Sequence, residues 1–102
     1  MIVWRKRAQI ALGEMLDWLW GVGYHSAADV LLQNIDKTLT KLLKNPTIGR
    51  PSKRFKTIRS YKIDEHRRIF YSMKGKKLFV IQIFDSRQNP DRSMFKNLFF
   101  IF

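Results

Sequence analysis

The chain has 102 residues, enough for one domain with a modest core, and contains no cysteine, which excludes a disulfide framework and a thiolate metal site. With only two histidines, neither close to another ligand, we expect no metal site and no bound cofactor. The net charge is +12, and residues 50–92 carry thirteen lysines and arginines against four acids, so nine of the twelve charges lie there. Such a region favours nucleic acid, the ribosome or an acidic protein as partner.

The N-terminal residues lack the long apolar stretch of a signal peptide. The longest apolar runs also fall far short of the ~20 residues that a membrane-spanning helix needs. We therefore expect a soluble, cytoplasmic protein that does not contact a membrane.

A first helix is predicted between a short apolar strand, Ile2–Trp4, and a pair of glycines. Its apolar residues recur at helical spacing: Ala8, Leu12, Met15 and Leu19. Gly21 and Gly23 are expected to end this helix, because glycine adopts the left-handed conformation of a helix cap without strain.

A second helix is predicted from Ser26, whose hydroxyl is the expected N-cap, to the stop signal Asn45-Pro46. Its apolar stripe includes Leu32, Ile35, Leu39 and Leu42, and is widened by Leu31 and Leu43. The short connection between the two helices predicts an antiparallel helical hairpin over residues 6–44.

Three further strands are predicted after the hairpin, at residues 55–61, 63–73 and 78–84, because β-branched and aromatic residues are frequent there. The tight turn Lys74-Gly75-Lys76 requires the last two to pair as an antiparallel hairpin. The predicted order is β-α-α-β-β-β. The expected fold is α+β, with an antiparallel sheet covered on one face by the helical hairpin.

Strand alternation divides the third predicted strand between the two faces of the sheet. Ile69, Tyr71 and Met73 share the face expected to pack on the helices, which leaves Arg68 on the open face. Arg67 falls in the inward set, near the strand start, where its long stem allows the charge to reach water.

The same alternation in the last predicted strand groups its only polar interruption, Gln82, with Val80 and Phe84. We therefore expect these three residues on the open face.

Arginines at the rim of the open face form a candidate anion-binding surface. Arg59, Arg68 and Arg87 suit this role because a planar guanidinium pairs two phosphate or carboxylate oxygens at once. The alternative is that these arginines only solvate the sheet or pair with neighbouring acids. Glu65 and His66 are the acid–base candidates nearest Arg68, but both are expected in a turn, and no carboxylate cluster suits a metal-dependent nuclease.

Two tryptophans mark the first helix as a candidate protein interface. Trp18 and Trp20 lie roughly 200° apart on a helix of about 3.6 residues per turn, so one of them is expected outside the core stripe. An exposed tryptophan is typical of protein–protein contacts.

Residues 91–102 form a tail that begins with three polar residues and is then strongly apolar. We expect residues 1–90 to form a single domain. The tail packs on that domain, pairs with a partner or is disordered in isolation, and the sequence leaves these alternatives open.

The order of several short motifs resembles the RelE/ParE superfamily of bacterial toxins over about residues 2–90. The matching features are a first strand ending in Trp4, Ala27-Ala28 in the second helix, Leu42-Leu43-Lys44-Asn45-Pro46 at its end, Gly49-Arg50-Pro51, Arg59, Arg68-Ile69-Phe70-Tyr71 and Arg87-Gln88-Asn89-Pro90. The resemblance implies a toxin of a type II toxin–antitoxin module, held inactive in a hetero-oligomer with an antitoxin. It makes Trp18, Trp20, Leu31 and Leu43 the candidate antitoxin contacts, and Arg59, Arg67, Arg68 and Arg87 the candidate target contacts.

The resemblance leaves two targets open. RelE-like members cleave messenger RNA on the ribosome, whereas ParE-like members inhibit DNA gyrase. Arg68 matches a catalytic arginine of the ribonuclease branch, but Asp85-Ser86-Arg87-Gln88 offers neither His nor Tyr where that branch has acid–base residues. Only Arg87 remains there, and a guanidinium does not readily exchange a proton. The ParE-like reading is therefore favoured, with ribosome-dependent cleavage by Arg68 and Arg87 and a non-toxic nucleic-acid-binding module as alternatives.

Overall fold

The structure, a computed structural model, describes residues 1–86. Its elements are β1 (Ile2–Trp4), α1 (Lys6–Gly21), α2 (His25–Lys44), β2 (Arg50–Pro51), β3 (Arg59–Lys62), β4 (Arg67–Lys74) and β5 (Lys77–Asp85). The five strands form one sheet in the order β1-β5-β4-β3-β2, and the helical hairpin packs on one of its faces. The predicted α+β class and the helical hairpin are confirmed. Arg87 and the tail, residues 91–102, lie outside the described residues.

The sheet is mixed, so the prediction of an antiparallel sheet is wrong for one strand pair. β1 runs parallel to β5, with Val3 opposite Phe79, while the other neighbours are antiparallel. Parallel strands need a long crossover connection, and the intervening helices and strands provide one. The predicted loop after the hairpin also contains a two-residue edge strand, in which Arg50 pairs with Ser60. Pro51 fits there because an edge strand tolerates a missing N–H donor.

Both predicted ends of α1 and the end of α2 agree with the structure, but the predicted N-cap of α2 is wrong by two residues. Gly23 has a φ of 84°, which reverses the chain immediately after α1. α2 therefore begins at His25 with Tyr24 as its N-cap, and no side chain caps it. Ser26 lies inside the first turn and is not the N-cap.

A β-bulge in β5 changes which side chains face the helices. Phe70 pairs with Gln82, but the next residue, Tyr71, pairs with Val80, so Ile81 is an extra residue in β5. Val80 is consequently fully buried in the core, and the prediction that it lies on the open face with Gln82 is wrong. Strict alternation fails here because a bulge shifts the pattern by one residue.

The core lies between the hairpin and the sheet. Its buried residues are Ala8, Met15, Leu19, Ala28, Leu31, Ile35, Leu39, Leu42, Ile69, Tyr71, Leu78, Val80 and Ile83. Ile69 and Tyr71 therefore face the helices as predicted, and Met73 packs at the margin of the same cluster. None of the helices in residues 1–86 is long and apolar enough to cross a membrane.

Candidate protein-interaction surfaces

The open face of the sheet, on the side away from the helices, carries a row of basic and small polar side chains. Antiparallel register places Arg50 opposite Ser60, and Lys62 opposite Arg68. Directly opposite residues in a sheet share a face, with Cβ atoms about 4.5–5.5 Å apart. Arg68, Ser60, Lys62 and Arg50 therefore lie together at one end of this face, and the name "open-face cation cluster" is used for these four residues.

Arg68 is held in place by a neighbour on the adjacent strand. Its Nη2 donates a hydrogen bond to Ser60 Oγ at 3.1 Å, and its side chain is half-buried. Partial burial lowers the pKa of the Arg68 guanidinium from its ordinary value, and the positive charge of Arg50 lowers it further. The two guanidinium groups thus repel each other on a surface that partly excludes water, and an anionic ligand would relieve this repulsion.

Two of the predicted target contacts have structural partners inside the protein. Arg59 Nη1 donates to the carbonyl oxygens of Thr47 at 3.2 Å and Gly49 at 2.8 Å, on the helix side of the sheet. Arg67 is 8% exposed, and so does not reach water as the sequence suggested. The structure does not bring Arg59 and Arg67 into the open-face cation cluster, and of the predicted target contacts in residues 1–86 only Arg68 lies there.

Arg67 joins β4 to both flanking segments through two carboxylates. Its Nη1 lies 2.8 Å from Asp64 Oδ2, and its Nε lies 3.1 Å from Asp85 Oδ2. Burial alone would raise the pKa of Asp64, but hydrogen bonds from the backbone N–H groups of His66 and Arg67 and the Arg67 guanidinium outweigh it, so the pKa is lowered. This network fixes the turn between β3 and β4 that precedes Arg68.

A second candidate surface lies at the tip of the helical hairpin. Trp18 and Trp20 are 50% and 54% exposed, so both tryptophans, not only one, lie outside the core. Trp20 stacks on His25 with ring centroids 3.9 Å apart, and Trp18 meets Tyr24 edge-on at 6.5 Å. Tyr24 and His25 were not among the predicted antitoxin contacts, and the short Gly-rich connection brings them back onto α1. These four residues are called the hairpin aromatic cluster.

The two leucines predicted to extend this surface lie in different environments. Leu43 is 38% exposed and is available to a partner. Leu31 is 1% exposed and belongs to the core, so it does not share a surface with Trp18 and Trp20. Leu31 faces the sheet because it lies three and four residues from the buried Ala28 and Ile35 on the same helical stripe.

The candidate acid–base residues lie in the turn between β3 and β4, as predicted, and the strand predicted to start at residue 63 begins only at Arg67. Glu65 is 84% exposed at its side chain, and its Oε2 lies 3.8 Å from His66 Nε2. Within the described part of the chain, the one hydrogen bond of the Arg68 side chain goes to Ser60, not to either of these groups. Across residues 1–86 there is also no group of three or more side chains that could hold a metal ion.

Comparison with family models identifies one family, and comparison with solved structures identifies a shared fold. Residues 2–90 match a family model described as "ParE toxin of type II toxin-antitoxin system, parDE". Among solved structures, the chain is similar to one titled "Chromosomal ParDE TA system from P. aeruginosa", with a TM-score of 0.67 and 21% sequence identity. The similarity covers 82% of this chain and 92% of the other chain, and it shows that the two chains share a fold. Curated protein sequences gave no match.

Proposed function

The chain belongs to the ParE toxin family of type II toxin–antitoxin systems, and we propose that it acts by inhibiting DNA gyrase in the cytoplasm rather than by cleaving RNA. The toxin role follows from the family. The gyrase target is a proposal, and it is supported by the side chains around Arg68, which suit protein binding better than RNA cleavage.

Cleavage of RNA by attack of a 2′-hydroxyl requires a general base, a general acid and a cation that stabilises the phosphorane. The open-face cation cluster offers the cation. The side chains beside Arg68 in the sheet register are Lys62 and Phe84, and its hydrogen-bond partner is Ser60. None of these is a group that readily exchanges a proton near neutral pH. A binding surface for an acidic protein fits this composition better than a nuclease site.

The test separates the two targets with the full-length protein, made in a cell-free system to avoid toxicity. Gyrase supercoiling is measured with increasing toxin, and messenger RNA is examined for breaks in a translating extract. We expect supercoiling to fall and messenger RNA to remain intact. Breaks at ribosome-bound codons in the wild-type reaction, absent in Arg68→Ala, would instead establish the ribonuclease alternative and make Arg68 catalytic.

A type II toxin is neutralised by an antitoxin, and we propose that the antitoxin docks on the hairpin aromatic cluster. Trp18, Trp20 and Tyr24 are each at least half exposed, which is unusual for tryptophan in a solitary domain, and they form two ring pairs, Trp18 with Tyr24 and Trp20 with His25. An amphipathic segment of the antitoxin would bury these rings against its own apolar face. Leu43 lies near the end of α2 on the same helical hairpin, and we include it in the proposed antitoxin contact.

A further inference from the structure

The open-face cation cluster is a concentration of positive charge, and no carboxylate of residues 1–86 belongs to the same face of the sheet. The five strands contain a single acid, Asp85, and it faces the helix side, where it pairs with Arg67. Asp64 also pairs with Arg67, and Glu65 lies beside His66. The remaining acids of residues 1–86, Glu14, Asp17, Asp29 and Asp36, belong to the helices on the other side.

The Arg68 guanidinium is held in a position from which it can donate hydrogen bonds to a carboxylate. Nη2 is fixed by Ser60 Oγ, which sits between Arg68 and Arg50 in the sheet register. A fixed guanidinium loses little side-chain entropy when it binds, and its fork matches the two oxygens of a carboxylate. Arg50, on the edge strand, is exposed and lies opposite Ser60 on the same face of the sheet.

We propose that Arg50, Ser60 and Arg68 form a carboxylate-binding site on the open sheet face, which takes an acidic side chain from a segment of the antitoxin. This assignment rests on the proposed function in one respect, that the antitoxin is the partner. It adds a second contact region, on the face of the sheet opposite the hairpin aromatic cluster, so the antitoxin engages both sides of the toxin.

An acidic peptide fits this face better than a nucleic acid does. Single-stranded nucleic acids bind along grooves in which bases stack on accessible aromatic rings. The aromatic ring next to the cluster on β4 belongs to Phe70, which is only 8% exposed. On β5, Phe84 lies opposite Arg68 and is half-buried, and the half-buried ring of Phe79 has the Arg5 guanidinium 4.8 Å from its centroid. Arg50 and Lys62 are exposed, whereas these rings are buried or half-buried, so this face favours a carboxylate over stacked bases.

The test compares two labelled probes by fluorescence anisotropy with the full chain. One is a peptide in which glutamates alternate with leucines, and the other is a single-stranded DNA oligonucleotide of equal net charge. Arg68→Gln and Arg50→Gln are compared with Lys74→Gln, which removes one exposed positive charge from the far end of the same face and strand. Arg68→Lys keeps the charge but removes the fork.

We expect Arg68→Gln and Arg50→Gln each to weaken peptide binding about tenfold, and Lys74→Gln less than about twofold, because only the first two lose a direct charge pair. The loss of peptide binding in Arg68→Lys should lie between the loss in Arg68→Gln and the loss in Lys74→Gln. Equal losses in all three glutamine variants would mean that only net charge matters and would overturn the site. So would tighter binding of the oligonucleotide, or no peptide binding by the wild type.

A second experiment tests whether the antitoxin supplies the acidic side chain, and it uses the complex of the full toxin with its own antitoxin. Arg68→Gln should raise the dissociation constant and reduce its salt dependence, whereas Lys74→Gln should change both little. If the two variants bind antitoxin equally while wild-type toxin still inhibits gyrase, the carboxylate site is wrong and the proposed function stands. If wild-type toxin leaves gyrase unaffected but Arg68→Gln weakens the complex, the proposed gyrase target is wrong and the carboxylate site stands.

Discussion

The hydroxyl of Tyr71 makes two hydrogen bonds with the loop that follows α2. It accepts from the backbone N–H of Gly49 at 3.0 Å and donates to the carbonyl oxygen of Pro46 at 2.6 Å. Tyr71 is buried in the core, so burial raises the pKa of its phenol, and the hydrogen bond from Gly49 opposes that rise. The bonds hold the loop against β4 and thereby place Arg50 on the edge of the open-face cation cluster.

Replacement of Gly49 by alanine should destabilise the protein. A Cβ there would lie 2.7 Å from Tyr71 Cε1 and 2.9 Å from Cζ, so the ring or the loop must move. Such overpacking costs about 1–3 kcal/mol. Gly13→Ala is the control, because a Cβ at this helical position meets nothing within 4 Å and should stabilise by roughly 0.5–1 kcal/mol. Urea unfolding of both variants measures the difference, and equal stability would contradict the close contact.

Tyr71→Phe tests the hydrogen bonds without changing the packing. It leaves a buried N–H and a carbonyl oxygen without this partner, which should cost about 1–3 kcal/mol. The variant should also bind the acidic peptide more weakly, because the loop no longer fixes Arg50. Unfolding in urea gives the first quantity and anisotropy gives the second. Loss of stability with unchanged peptide binding would show that the loop does not position Arg50.

Stability should fall in acid partly because of Asp64. Its folded pKa is lowered from the ordinary value of 3.8, so its contribution is complete above that value and is lost as the pH falls through the lower, folded pKa. Asp64→Asn should be less stable than wild type near neutral pH and should show a shallower decline in acid. Glu65→Gln, an exposed neighbour in the same turn, should behave like wild type. Urea unfolding across the acid range measures all three, and parallel curves for wild type and Asp64→Asn would refute this assignment.

The helices were predictable from sequence because each has its own periodic stripe and its own stop signal. Gly21 and Gly23 end α1, and Asn45-Pro46 follows α2, and the structure agrees at both places. The sheet was less predictable. Its strand pairs are long-range, and a bulge leaves no composition signal, so the extra residue Ile81 and the burial of Val80 could not be read from alternation.

The candidate sites were predictable in kind but not residue by residue. Arginines cluster in the second half of the sequence, yet pairing decides which of them face solvent. Arg67 meets Asp64 and Asp85 only after β4 and β5 have come together, and Arg59 meets two loop carbonyls. Arg50 was visible only as part of a loop motif, because its proximity to Arg68 depends on a two-residue strand.

The hairpin aromatic cluster should supply affinity for the antitoxin without supporting the fold. Trp18→Ala and Trp20→Ala should each weaken the complex by about 2 kcal/mol or more if they are anchor residues. Because both side chains are about half exposed, the free toxin should lose little stability. Leu31→Ala, a core substitution on the same hairpin, should lower stability by about 2–5 kcal/mol. Calorimetric titration and urea unfolding separate the two effects. Unchanged affinity in both tryptophan variants would remove this surface from the interface.

Toxicity should depend on the absence of the antitoxin and on the open face. Induced expression of the toxin alone should arrest growth, and co-expression with its antitoxin should restore it, because an antitoxin bound at the proposed carboxylate site would cover the proposed target surface. Arg68→Gln should reduce the arrest, since it removes the fixed guanidinium of the open-face cation cluster, whereas Lys74→Gln should not. Growth is followed together with the amount of soluble toxin, so that poor expression is not mistaken for harmlessness. Full toxicity of Arg68→Gln at wild-type protein levels would show that target inhibition uses another surface.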